Sequence, residues 1–94
     1  MIRVFRMING EELISESKPA SGGYTLENPA VIVMQQTEKG MGVAIAPYMP
    51  YAQGKVTLYS SAIAAEADPD DKMKNEYNRI FGSGIQVVPA SALP

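Results

Sequence analysis

The amino-acid sequence predicts a mainly β domain, a small and strongly bent five-stranded antiparallel barrel followed by one C-terminal helix. Period-two alternation of apolar side chains, turn residues between the alternating runs, and a single capped amphipathic stretch late in the chain carry that prediction. Ninety-four residues, 46% of them hydrophobic and 19% charged, hold one compact domain rather than two. Its parts are a barrel over residues 2–66, a helix over 69–81 and a tail over 83–94. Closure is the simplest way for so few short strands to bury a core.

Ile2, Val4 and Ile8 alternate with Arg3, Phe5 and Met7, which defines the first strand, with Arg6 interrupting one face. Asn9-Gly10 tolerates positive φ at both central positions of a tight turn, so residues 11–17 return as the second strand of a hairpin. Residues 18–23 are turn formers, and residues 30–34, rich in β-branched side chains, make a buried third strand. After the polar residues 35–40 comes another apolar strand at 41–46. Pro47 and Pro50 donate no ladder hydrogen bond, so the chain is expected to bend sharply at 47–50.

Residues 55–59 alternate again, and the run 62–65 reads as a strand rather than a helix start. The reason is the strong helix signal just beyond it. Asp68 can cap, Pro69 suits the first helical position, Asp70 and Asp71 complement the positive end of the dipole, and Gly82 lies past the end. Met73, Tyr77, Ile80 and Phe81 form a stripe that lays this helix on the sheet. Residues 85–88 can add a short edge strand.

Composition narrows the chemistry. Eight Lys and Arg against 10 Asp and Glu leave a net charge of -2, so the chain does not coat duplex DNA by charge alone and any nucleic-acid contact is local. The absence of His and Cys removes zinc sites built on them, Ser-His and Cys-His nucleophile pairs, disulfides and thiolate redox chemistry. No enzymatic activity, metal or cofactor is expected. Arg3 and Arg6 spoil the apolar region of a signal peptide, and no window reaches about 18 apolar residues, so an intracellular, cytoplasmic chain away from membranes is expected. A monomer this short buries only ~60–65% of its unfolded surface, which favours a homo-oligomer joined through edge strands.

Several short patterns have plainer explanations. Asp68 and Asp70 mimic the first ligands of a calcium loop, but Met73 and Arg79 stand where its Gly and bidentate Glu belong, and helix capping accounts for the acids. Ser15 and Lys18 have the spacing of a Ser-Lys dyad but fall on a strand end. Gly82-Ser83-Gly84 follows a helix and lacks a third glycine, and Pro47 to Pro50 reads as a kink before it reads as a proline-rich ligand.

The order of elements resembles the Sm and Sm-like (LSm) proteins. Val4 to Ile14, with Asn9-Gly10 between strands, resembles the opening of that family's first motif, and Leu26-Glu27-Asn28-Pro29-Ala30-Val31 places Asn28 where the motif carries an Asn before its third strand. Val56 to Ile63 resembles the second motif, with Tyr59-Ser60 where the family has Arg-Gly. Leu26 stands in place of an aromatic, and the helix follows the last strand instead of preceding the first. Asn28-Pro29, Pro47 to Pro50, Tyr77 and Phe81-Gly82 further resemble small Sm-like proteins of tailed phages.

The resemblance implies a bent barrel that closes into a homo-oligomeric ring of five to seven subunits and binds single-stranded nucleic acid, RNA first and DNA second, without catalysis. It implies that Asn28 sits in a loop at the inner rim, with its amide toward a base edge. Tyr59, beside Ser60, and Tyr24 are the candidate stacking platforms, worth ~1–3 kcal/mol per base. Arg3, Arg6, Lys39 and Lys55 are the cations available for phosphates. Capping of the turn by Asn28 and core packing of the tyrosines are the plainer alternatives. A structural or adaptor ring that docks another protein through the helix and residues 47–51 is the competing function.

Overall fold

The computed structural model describes residues 1–82, and the tail with its expected strand at 85–88 lies outside the described residues. Along the chain run β1 (Ile2–Met7), β2 (Glu12–Ala20), β3 (Gly23–Thr37), β4 (Gly40–Pro47), β5 (Val56–Tyr59), a 3-10 turn (Ser60–Ala62), β6 (Ile63–Ala67) and α1 (Asp71–Phe81). The expected antiparallel sheet and single C-terminal helix are present. The sheet has six strands rather than five.

Proline separates β4 from β5. Residues 23–26 of β3 pair with β2 and β5, and residues 30–31 pair with β2 and β4, so β4 and β5 lie along the same edge of β3. They are two pieces of one strand line, interrupted over 48–55. Pro47 and Pro50 donate no hydrogen bond, Met49 takes a φ of 58°, and the Tyr48 N–H turns back to the Pro29 carbonyl at 2.8 Å. The expected bend at 47–50 is therefore a break in the ladder.

At the other edge β6 pairs with β1, giving the order β4-β3-β2-β1-β6. Among the described residues β5 and β6 are not paired with each other. The 3-10 turn carries the chain between the two edges, and it is held by Ser60 N–H to the Gly22 carbonyl at 2.8 Å and Ile8 N–H to the Ala62 carbonyl at 2.9 Å.

The turns differ in detail from expectation. Gly10 alone takes positive φ, with its N–H on the Met7 carbonyl at 2.9 Å, so the loop holds Ile8, Asn9 and Gly10. The Asn9 side chain accepts the Glu11 N–H at 2.9 Å instead of supplying a left-handed backbone. Residues 18–20, read as loop, continue β2 and pair with residues 25–23 of β3. The reversal needs only Ser21 and Gly22, the latter at φ 80°.

Because successive strand residues face opposite ways, the sheet buries both faces. Phe5, Met7, Leu13, Leu26 and Leu58 fill one side, and Ile14, Ala30 and Tyr77 form the other with Ile2, Val4, Ile32, Ile45, Met73 and Phe81. Helix α1 covers that second side. It begins two residues later than expected, with Asp70 as cap accepting the Met73 N–H at 2.8 Å, while Asp68 bonds Arg3 Nη1 at 2.7 Å. Of the expected stripe, Tyr77 is buried and Ile80 is exposed.

Candidate functional site

An open groove of about 620 Å³ lies where the β2–β3 reversal faces β6, lined by Pro19, Ala20, Gly22, Gly23, Tyr24, Ser60 and residues 63–66. Gly23 is required there because a Cβ would overlap the Leu58 carbonyl oxygen across the β3–β5 ladder. Tyr24 is half-buried, its ring tilted on Phe5 with centroids 5.0 Å apart, and its hydroxyl donates to the Glu66 carboxylate. That bond, with burial and the Glu66 charge, raises the Tyr24 phenol above its ordinary value. Arg3 sits behind, its guanidinium 3.3 Å from Glu66 and 2.7 Å from Asp68.

Ser60 donates its Oγ to the Gly22 carbonyl at 2.7 Å, which pins the 3-10 turn to the β2–β3 reversal. Tyr59, opposite Gly23 at the end of β5, stands 64% exposed. Three of the four candidate residues, Tyr24, Tyr59 and Ser60, thus gather at one end of the sheet.

Asn28 does not join them. Four residues along β3 separate it from Tyr24, about 13 Å of extended chain, and it occupies a bulge in mid-strand rather than a loop. Ile14 pairs with Ala30 and Glu16 with Glu27, so Asn28 and Pro29 together stand opposite Ser15. Asn28 adopts φ 53°, a left-handed conformation that Asn tolerates better than most residues.

The bulge is completed by Tyr77, which sequence reasoning placed in a packing stripe and not among the candidate site residues. The Tyr77 hydroxyl accepts the Glu16 N–H at 3.1 Å and faces the carbonyls of Asn28 at 2.8 Å and Glu27 at 3.0 Å, to which it donates. Ser15 is buried, and its hydroxyl donates to the Glu27 and Glu16 carbonyls at 2.9 and 2.8 Å. Burial raises the Tyr77 phenol above its ordinary value. The spacing of Met73, Tyr77 and Phe81 marked the buried face, but only the bulge gives the hydroxyl its partners.

Three of the four expected phosphate cations are engaged by carboxylates: Arg3 by Glu66 and Asp68, Arg6 by Glu12, and Lys55 by Glu27 at 3.6 Å. The groove therefore presents hydrogen-bond acceptors and an aromatic edge rather than positive charge. It offers stacking and hydrogen bonding. No family model matches the chain, and no curated protein is significantly similar to it.

Proposed function

We propose that this chain is a non-enzymatic, self-associating structural or adaptor module of Sm-like type, which assembles as a homo-oligomeric ring of five to seven subunits. One observation carries the reading. The sheet runs from β6 to the β4–β5 line and leaves both outer edges without a partner strand among the described residues, with the 3-10 turn carrying the chain from one edge to the other. An unpaired edge is a template for another chain, and β4 has no charged residue to discourage it. Light scattering on the purified full chain tests this, and a monomer at every concentration would refute it.

A second reading, single-stranded nucleic acid bound on the assembled surface, is supported by Tyr59. Its exposed ring lies beside Ser60 and the groove, and a repeated ring surface multiplies weak stacking contacts. RNA is tested first and DNA second. Absorbance at 260 nm of the purified protein and oligonucleotide titration at low salt test it. No binding by the wild type, or undiminished binding by Tyr59→Ala, removes it.

A further inference from the structure

Among the described residues Glu66 is the only charged residue in the lining of the groove between the β2–β3 reversal and β6. Half of its carboxylate is in use. The Tyr24 hydroxyl and Arg3 Nη2 both meet Oε1, the guanidinium at 3.3 Å, whereas Oε2 has no hydrogen-bond or ion-pair partner among the described residues. Arg3 lies closer to Asp68, at 2.7 Å, so one guanidinium serves two carboxylates and the three groups together carry one negative charge.

The remaining wall is mostly small, with Pro19, Ala20, Gly22 and Gly23 on one side and Ala64 and Ala65 on the other. Such walls leave the space of the groove, about 620 Å³, to a ligand's side chain. The β6 wall is four consecutive strand residues, about 13 Å long, which three or four extended residues of a partner match.

We propose that this groove receives a single Arg or Lys side chain, carried on an extended segment of another protein, with its cation on Glu66 Oε2. The proposal rests on the adaptor reading above and supplies the chemistry of the partner. Charge selects the occupant. An ionised oxygen with free lone pairs takes its strongest hydrogen bonds from an ammonium or guanidinium group, and no cation of the groove's own lining competes for it. A nucleic-acid strand meets the opposite field there. Guanine gains little as well, because its two neighbouring N–H donors need both carboxylate oxygens and Oε1 already serves Tyr24 and Arg3.

Fluorescence anisotropy on the full chain tests this with labelled, capped heptapeptides Ser-Thr-Val-X-Val-Thr-Ser, where X is Arg, Lys, Gln or Glu. The Arg and Lys peptides are expected to bind, and the Gln and Glu peptides to bind roughly 10- to 100-fold more weakly, the range of a hydrogen bond to a charged group. Glu66→Gln keeps an oxygen for the Tyr24 hydroxyl and is expected to erase the difference between the Arg and Gln peptides. Ala64→Trp fills the groove from an exposed position, leaves Glu66 in place, and is expected to abolish binding of every peptide. Circular dichroism checks the fold of both variants, and should Glu66→Gln misfold, the peptide series and Ala64→Trp decide. An Arg peptide that binds the wild type no better than the Gln peptide overturns the proposal. So does a guanosine-containing RNA hexamer that binds more tightly than the Arg peptide and is lost in Ala64→Trp, which gives the groove to nucleic acid. A fall in oligomer mass in folded Glu66→Gln gives it to a second copy and overturns the proposal too. A wild-type chain that stays monomeric yet binds the Arg peptide through Glu66 refutes the self-association reading and leaves this one standing.

Discussion

Replacing Tyr77 by Phe removes one oxygen and no packing volume, and it is expected to cost the fold about 2 kcal/mol. The residue is 3% exposed, and its hydroxyl holds the Glu16 N–H and two carbonyls of the β3 bulge. Ser15 Oγ still serves the Glu27 carbonyl, so the change strands the Glu16 N–H and weakens the Asn28 carbonyl. An unsatisfied buried polar group costs about 1–3 kcal/mol. At about 4–8 °C per kcal/mol for a domain of this size, Tm falls by roughly 8–16 °C. The assay is thermal and urea denaturation followed by circular dichroism, with protein concentration fixed because self-association shifts apparent stability. Tyr59→Phe serves as the reference, since its side chain is exposed and its hydroxyl has no partner among the described residues. A change within about 0.5 kcal/mol for Tyr77→Phe, the range of an ordinary surface substitution, would refute the keystone role. The alkaline limb supplies a second readout. A phenol raised above its ordinary 10.0 in the folded state contributes stability that is complete below pH 10 and is lost as pH rises through the folded value. Stability is therefore expected to decline above pH 10, and less steeply in Tyr77→Phe.

Asp70→Ala is expected to cost about 1 kcal/mol through loss of the helix cap, whereas Asp68→Ala, a surface partner of Arg3, costs about 0–1 kcal/mol; urea denaturation separates them. Asn28→Gly retains the left-handed backbone and is expected to leave stability nearly unchanged, while Asn28→Val, forced to positive φ, costs about 1–3 kcal/mol, read by the same melts. Oligonucleotide titration of Asn28→Gly then isolates the amide, because the bulge persists without it. Gly23→Ala is expected to disrupt the β3–β5 ladder, since its Cβ meets the Leu58 carbonyl oxygen, and loss of amide protection in residues 56–59 by hydrogen exchange reports it.

Strand positions were legible wherever alternation and turn chemistry agreed, as at residues 2–17 and 55–59, because both are local. The helix was legible to within two residues, and its cap was misplaced because Asp68 and Asp70 both suit an N-terminus on type alone. Asp68 lies within reach of Arg3 across the β1–β6 edge, and only tertiary structure assigns it there. Residues 18–20 looked like loop because Pro and Ala after Lys carry no strand preference, yet pairing with residues 23–25 overrode propensity.

The candidate site was less legible for a single reason. Asn28-Pro29 has the chemistry of a loop entrance, left-handed tolerance followed by a missing donor, and a mid-strand bulge requires the same two properties. What distinguishes the cases lies across the sheet, in Ser15 opposite the bulge and in Tyr77, some fifty positions on, whose hydroxyl completes it. Asn28 thus has a structural task that accounts for its φ without any ligand, and Tyr24 has its hydroxyl on Glu66. Tyr59 is the candidate whose exposure no contact among the described residues explains, so the nucleic-acid reading stands or falls on that one ring, while the assembly reading draws on the free edges of β4 and β6.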